Sequence, residues 1–350
     1  MKRIFTSGGT TGQSRLVTHS EIEWKGIVID TALVMRAYGV GSGDKVLIGQ
    51  PSFPWSIGQA FADAAISCGA DAICLGSHAA HLGLVKEALE LSPGVLIVPP
   101  RLPLIWAKAG IPPVPGIRII VVGEPLPDWL EAELIESWKP LWIRRIYGHS
   151  ELGTLAYQPT DESAFLLVNP RFDFAIQPLE GAEVGTLDSG RLLITSLNSG
   201  FVVDTGDIAT IVDGCCGNAL WAGCRRLQVV RRVSPALYLA DGTSIDATFL
   251  ETLVQEWNLK AIQLVQSPRS ETHQKISISV VASRSIDLAG FRGAVLEAAP
   301  ELVRLGLGSD GWDVPDVEVK QVELEDLRKT PRGKIPLLID DCSRPARGGG

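Results

Sequence analysis

Between residues 21 and 146, apolar runs of strand length alternate with segments of helical period, and this alternation narrows the choice of fold more than any other feature. Apolar positions at Ile22, Ile27, Leu33 and Val34 predict a helix over 21–38, and Gly39 to Gly43 break the pattern before a strand at 46–48. The same reading places helices near 58–67 and 81–91, and strands at 72–75, 95–98, 117–122 and 142–146. Parallel neighbours need a long crossover, usually helical, so repeated strand–helix units predict a largely parallel α/β sheet. The last two strands are expected to end just before Gly123-Glu124-Pro125-Leu126 and Tyr147-Gly148. Loops at the carboxyl ends of parallel strands are where such sheets bind ligands.

Residues 185–230 read differently, as short β-rich pieces at 191–195, 202–212 and 227–231 separated by Gly, Asn and Asp turns, which predicts a small β-subdomain. Beyond Arg232 the pattern changes again. A helix near 246–257, strands at 261–265 and 275–281, a helix at 286–298 and a strand at 317–322 suggest a compact α+β unit. The expected division is 1–232, 233–343 and a frayed tail at 344–350.

The chain has 350 residues, 45% of them apolar, which suffices for two cores. A formal charge of −8 without a basic run argues against nucleic acid or an anionic membrane as principal partner. The amino terminus lacks the apolar core of a signal peptide, and no apolar run is long enough to span a bilayer, so a cytoplasmic, soluble protein is expected. The six cysteines (68, 74, 215, 216, 224 and 342) include no C-x-x-C pair and read as reduced, mostly buried thiols.

Residues 5–20, Phe5-Thr6-Ser7-Gly8-Gly9-Thr10-Thr11-Gly12-Gln13-Ser14-Arg15 and the apolar stretch after them, suit an anion. Glycines let backbone N–H groups approach a phosphate, hydroxyls add donors and Arg15 adds a fixed charge. The segment does not match the P-loop pattern of ordinary NTPases. Tyr147-Gly148-His149-Ser150-Glu151, Asp204-Thr205-Gly206-Asp207 and Lys329-Thr330-Pro331-Arg332-Gly333-Lys334-Ile335 follow in that order.

Together the four segments resemble the adenylate-forming (ANL) superfamily of acyl- and aryl-CoA synthetases, peptide-synthetase adenylation domains and luciferases. The resemblance implies an α/β large domain with a parallel sheet and a small β-subdomain, followed by a mobile C-terminal α+β lid. It also implies that a carboxylic acid, aryl or fatty rather than amino, is activated with ATP and Mg²⁺ as an acyl-adenylate. The acyl group would then pass to the thiol of CoA or of a carrier protein's phosphopantetheine. Thr6, Ser7, Gly8, Thr10, Thr11, Gly12 and Arg15 match the loop that grips the phosphates, with Gly9 as an extra residue and Arg15 in place of the usual lysine. Arginine keeps the charge and can bind phosphate through two donors.

By the same resemblance Glu151 is the Mg²⁺ ligand, against the plainer reading of a glutamate that opens a helix. Asp207 takes the ribose hydroxyls, since a carboxylate is acceptor-only. Gly123, Glu124, Pro125, Tyr147, Gly148 and Arg232 complete the nucleotide site, with Tyr147 equally suited to the core. Lys334 would bridge the acid's carboxylate and the α-phosphate. Phe53 and Trp55, in Pro51-Ser52-Phe53-Pro54-Trp55-Ser56, fit an acyl gate or core packing, and His149 can face substrate or sheet. Around Arg232 the chain departs from the family, with Arg231 where glycine is usual and Ser234-Pro235 where the hinge acid is usual, and a proline restricts that hinge.

Members of the family carry a whole subdomain ahead of the phosphate loop, which here begins at residue 5. A shortened member, or a surface supplied by a partner or a second copy, is therefore implied, and a homodimer is the expectation. The other class of function open to such a chain is a catalytically reduced nucleotide- or acyl-binding subunit of a biosynthetic complex.

Overall fold

The computed structural model describes residues 2–6, 16–50, 52, 55–76, 81–126, 128–159, 165–167, 170–178, 189–213, 225–232, 236–238, 244–247, 249–268, 274–299, 302, 316–328 and 338–340. The chain opens with an antiparallel hairpin, β1 (Lys2–Thr6) and β2 (Leu16–Ser20), in which Thr6 pairs with Leu16. Ser20 then starts α1 (Glu21–Ala37) through a reciprocal capping box, its hydroxyl accepting from Glu23 N at 3.2 Å while Glu23 Oε2 accepts from Ser20 N at 2.7 Å. The helix stops at Tyr38 and Gly39, whose φ of +77° suits glycine.

There follow β3 (Lys45–Ile48), α2 (Ile57–Ser67), β4 (Asp71–Cys74), α3 (Leu82–Glu90), β5 (Val95–Val98), α4 (Leu102–Lys108), β6 (Arg118–Val122), α5 (Asp128–Trp138) and β7 (Trp142–His149). The five strands are mutually parallel in the order β4-β3-β5-β6-β7. Their side chains split by the strand period of two. Val46, Ile48, Val95 and Ile97 pack with α1 and α2 against Met35, Phe61 and Ala65, whereas Leu47, Leu96 and Val98 pack with α3, α4 and α5 against Val85, Trp106 and Trp138. Helices thus cover both faces, and the continuously apolar β5 is buried at every position. The strand order reverses between β3 and β5, so the crevice of such a sheet opens at their carboxyl ends.

The β-rich stretch is joined to this sheet. Strands β8 (Gly153–Tyr157), β9 (Phe165–Leu167), β10 (Phe172–Pro178), β11 (Ser189–Ser196), β12 (Val202–Asp213) and β13 (Arg225–Arg232) form an antiparallel half. The full order is β10-β11-β12-β13-β9-β8-β7-β6-β5-β3-β4. Leu155, Phe174, Leu192, Ile194, Ala209 and Leu227 form its own core.

A two-stranded ladder follows, β14 (Ala236–Tyr238) with β15 (Ser244–Asp246). The remainder is α6 (Phe249–Glu256), β16 (Leu259–Pro268), β17 (Gln274–Ala282), α7 (Leu288–Ala298), β18 (Asp316–Gln321) and β19 (Leu338–Asp340). These four strands form a separate sheet, ordered β18-β17-β16-β19, with a core of Leu250, Leu253, Leu264, Ile278, Phe291 and Val295.

Three expectations are corrected. The helix over 21–38 is present, but its buried face is Trp24, Ile27, Thr31, Val34 and Met35, while Ile22 is 83% exposed. Tyr147-Gly148-His149 is not a loop: β7 runs through His149 and turns directly into β8. Of the thiols, Cys68 is half-buried and Cys74 exposed; burial still pushes both above the ordinary thiol value, and the other four cysteines lie outside the described residues.

Candidate active site

Residues 7–15 lie in sequence between β1 and β2, and Thr6 is the last residue of β1, paired with Leu16. Ser7, Gly8, Thr10, Thr11, Gly12 and Arg15 themselves lie outside the described residues, as do Phe53 and Lys334. The hairpin is fastened to the helices beneath it. Phe5 stacks on Trp24 at 5.3 Å, the Arg3 guanidinium lies 4.7 Å from the Trp24 ring, and Trp24 Nε1 donates to Asp63 Oδ2 of α2 at 2.8 Å.

At the carboxyl end of β7 the chain reverses within a tight turn. Gly148 faces Thr154 across the β7–β8 pair, and a Cβ there would lie 2.9 Å from Gly153 O. Only glycine permits this approach. Ser150 and Glu151 form the turn itself and do not open a helix. Glu151 N donates to His149 Nδ1 at 3.3 Å and Leu152 N to His149 O at 3.0 Å. In that first bond Nδ1 serves as the acceptor, so the His149 ring shapes the turn.

Tyr147, half-buried beside Phe165, donates its hydroxyl to Asp207 Oδ2 at 2.7 Å. Asp207 lies in β12 and is buried, at 5% exposure. Gly206 before it has φ +70°, Asp207 N donates to Thr205 Oγ1 at 3.2 Å, and Thr205 Oγ1 in turn donates to Leu192 O at 3.0 Å. Asp204 is spent on structure, accepting from Gly206 N at 2.9 Å and pairing with Arg191. Arg232 faces Asp207 in the β12–β13 register. Two of the four motifs therefore meet through a direct side-chain bond, although β8, β9 and β13 intervene between their strands.

At the crevice, Gly123 follows β6 with φ +97° and is exposed, as is Pro125. Glu124 is otherwise engaged: its side chain is 1% exposed and pairs with Arg101 at 3.0 Å, joining the carboxyl ends of β5 and β6. Gln50, after β3, donates to Val122 O at 2.9 Å. Trp55 is half-buried ahead of α2. Arg101 was not anticipated, although the rule that selected Gly123, position at a strand's carboxyl end, would have found it. Two other unanticipated residues, Ser56 and His19, adjoin the Glu151 turn. Ser56 Oγ donates to Ser150 O at 3.3 Å, and burial holds the His19 imidazole below the ordinary histidine value, with Arg171 adding to the effect and Glu23 and the Ser150 carbonyl opposing it.

Among the described residues no group of three or more His, Cys, Asp or Glu side chains converges to hold a metal. A single carboxylate at Glu151 suits Mg²⁺, which takes one or two carboxylates and completes its shell with phosphate oxygens and water. In the separate sheet, the segment that contains Lys334 is anchored at both ends on β16. Buried Gln263 donates to Arg328 O at 2.8 Å and accepts from Arg328 N at 2.9 Å, and β19 pairs with β16 at Leu264 and Leu338.

No protein-family model matches the sequence, and no curated protein matches it. Solved structures do. A 2-hydroxyisobutyryl-CoA ligase in complex with 2-HIB-AMP and CoA aligns with 97% of this chain and 73% of its own, at 16% identity and a TM-score of 0.67. The amide bond synthetase McbA from Marinactinospora thermotolerans aligns with 95% of this chain and 67% of its own (18% identity, TM-score 0.60). An o-succinylbenzoate CoA synthetase from Bacillus subtilis, bound to a product analogue, covers the same shares at 15% identity and a TM-score of 0.58. The chain has the fold of these ligases and synthetases. No described helix is long and apolar enough to cross a membrane.

Proposed function

We propose that this chain is an adenylate-forming enzyme. It joins a carboxylic acid to ATP as an acyl-adenylate, releases pyrophosphate, and passes the acyl group to the thiol of CoA or of a carrier protein's phosphopantetheine. The observation that carries the reading is the Tyr147–Asp207 bond, which unites the Y-G-x-S-E and T-G-D segments at one place on a fold shared with acid–CoA ligases.

In this reading the carboxylate needs no general base, because it is already a nucleophile. Charge neutralisation and alignment carry the step. Arg15 and the donors of residues 6–12 hold the terminal phosphates, Asp207 takes the ribose hydroxyls, and the exposed main chain at Gly123 and Pro125 borders the nucleotide. Tyr147 orients Asp207, and Gly148 and Arg232 complete the frame around it. Glu151 would hold Mg²⁺, which when bound neutralises phosphate charge. Lys334 would reach the carboxylate and the α-phosphate from a lid beginning at residue 233. Trp55 and Phe53 would border an aryl or fatty acyl group, and His149 would face the substrate or shape the turn.

The exposed Ile22, Ile29 and Leu33 along α1 support a further covering surface, from a second copy or a partner. Sedimentation as a stable monomer at low micromolar concentration would count against it.

The test is carboxylate-dependent exchange of labelled pyrophosphate into ATP, screened over aryl, fatty and amino acids, with Lys334→Ala as control. Exchange with one acid class, lost in the variant, supports the reading, whereas ATP binding without exchange for any acid supports a binding subunit. The similarity to an amide bond synthetase favours a second acceptor class, an amine. Supplying CoA or amines to the adenylate and identifying the product decides between them.

A further inference from the structure

Resting on the adenylation reading, we propose that Arg101 and Glu124 are positioning residues for the nucleotide, their buried ion pair fixing the main chain at Gly123 that borders it. The chain leaving β6 alternates. Gly123 and Pro125 are exposed at the crevice, whereas Leu126 is buried in the apolar core with Leu102 and Leu130. Glu124, between the two exposed residues, has a side chain only 1% exposed, and it meets Arg101 Nε at 3.0 Å.

Gly123 is held from both sides. Its φ of +97° lies in the left-handed region, which glycine enters and leaves readily because no Cβ confines it. The residue before it, Val122, gives its carbonyl to Gln50 Nε2 at 2.9 Å, and Gln50 is 3% exposed just after β3. The residue after it, Glu124, is tied to Arg101, which lies beyond β5 at the N-cap of α4 with a side chain 13% exposed. Gln50, Arg101 and Glu124 thereby join the carboxyl ends of β3, β5 and β6. The strand order reverses at this place, where an open α/β sheet takes its ligand.

Stability does not account for the pair. Taking two charges out of water can cost more than their attraction returns, and apolar residues of similar volume often serve a buried site as well or better. The apolar cluster that holds Leu102 and Leu126 adjoins both residues in sequence and could accept such a replacement. What a forked, charged donor adds over an apolar contact is direction. With the Val122 carbonyl and the Glu124 side chain both set, Gly123 has one path, and the surface it offers the nucleotide is formed before binding.

The experiment measures equilibrium binding of AMP, ATP and 2′,3′-dideoxy-ATP by calorimetry on the full chain, for wild type and the double variant Arg101→Met/Glu124→Met, whose side chains fill similar space without charge. The thermal midpoint is expected to stay near the wild-type value or rise above it. Affinities for AMP and ATP should each fall about three- to tenfold, the weight of a segment that must now be ordered on binding. The ratio of ATP to dideoxy-ATP affinity should keep its wild-type value, since Asp207 is held by its own bonds to Tyr147 and Thr205. Unchanged affinities in a stable double variant, or a ribose discrimination that falls together with the midpoint, would overturn the proposal while leaving the adenylation reading intact. A wild-type chain that binds neither AMP nor ATP would overturn that reading, and this inference with it. If the double variant does not fold, Arg101→Lys, which keeps the charge and gives up the fork, takes its place. A loss of about threefold for both nucleotides at an unchanged midpoint is then expected, and no loss would overturn the proposal.

Discussion

Replacing Asp207 by asparagine should reduce affinity for ATP about 30- to 150-fold and leave affinity for 2′,3′-dideoxy-ATP nearly unchanged. Asp207 is buried, and Tyr147 already occupies one lone pair of Oδ2 at 2.7 Å. A carboxylate has about four acceptor positions, enough for Tyr147 and two ribose hydroxyls together. Bonds to a charged acceptor contribute about 1.5–3 kcal/mol each, against about 0.5–1.5 kcal/mol for neutral pairs. Asparagine is the same size, but it is uncharged and turns one acceptor into a donor, which one hydroxyl can no longer approach as a donor. The expected loss is about 2–3 kcal/mol at about 1.4 kcal/mol per tenfold. Titration calorimetry with both nucleotides isolates the ribose contribution, because a general disturbance of the site would weaken them alike. Equal loss for ATP and the dideoxy analogue, or a wild-type protein that does not distinguish them, would refute the ribose assignment.

Tyr147→Phe should weaken ATP binding by about tenfold or less, since it removes the bond that orients Asp207 and not the acceptor itself; the same calorimetry checks it. Gly148→Ala should destabilise the fold by about 1–3 kcal/mol, because its Cβ would lie 2.9 Å from backbone oxygen Gly153 O; an unchanged urea midpoint would contradict this. Burial holds His19 below the ordinary value of 6.5, opposed by Glu23 on α1 and the Ser150 carbonyl and reinforced by Arg171. The unfolded chain therefore takes up the proton first, so stability should fall as pH drops below 6.5 and through the lowered folded value, and His19→Phe should flatten that dependence in urea titrations at pH 7 and 5. Gln263→Leu should speed hydrogen exchange at the Arg328 amide without changing ATP affinity, because it removes both bonds that anchor the segment before Lys334.

The parallel half was legible because its strands are buried on both faces. Val46–Leu47–Ile48 and 95–98 are unbroken apolar runs between helical segments, the pattern of parallel strands covered by helices on both faces. Helices α4 and α5 escaped notice, the first being seven residues long with Pro103 inside it and the second mixing acids with apolar positions. Residue type is a poor guide to the buried face of α1, where Trp24 and Thr31 are buried while Ile22 and Leu33 are exposed. Strands β8 and β9 are short, and their pairing is long-range in sequence, so no local period announces it. At the site, Asp207 and Glu151 were legible as motif positions. The turn made by His149, the tie from Ser56 and the Arg101–Glu124 pair were not, since each depends on which chain segments the fold brings together.

The Tyr147–Asp207 bond also dictates the shape of the antiparallel half. In hydrogen-bonding order β7 and β12 are separated by β8, β9 and β13. Strands lie about 4.8 Å apart, so four steps across a flat sheet would hold them roughly 19 Å from each other. Register widens the gap. Tyr147 pairs with Ala156 and Ala156 with Leu167, while Asp207 pairs with Arg232 at the far end of β13 from Leu227, which faces Phe165. A 2.7 Å contact between the two side chains is therefore incompatible with a flat sheet, and these strands must curl round so that β12 returns toward β7. The means are visible in the pairing. Register shifts fall between Tyr147 and Gly148, between Arg191 and Leu193, and between Ile208 and Ala209, and β-bulges of this kind bend a strand and increase its twist. Two of the three lie within one residue of Tyr147 or Asp207, so the irregularities that curl the sheet are the ones that bring its two motifs into contact.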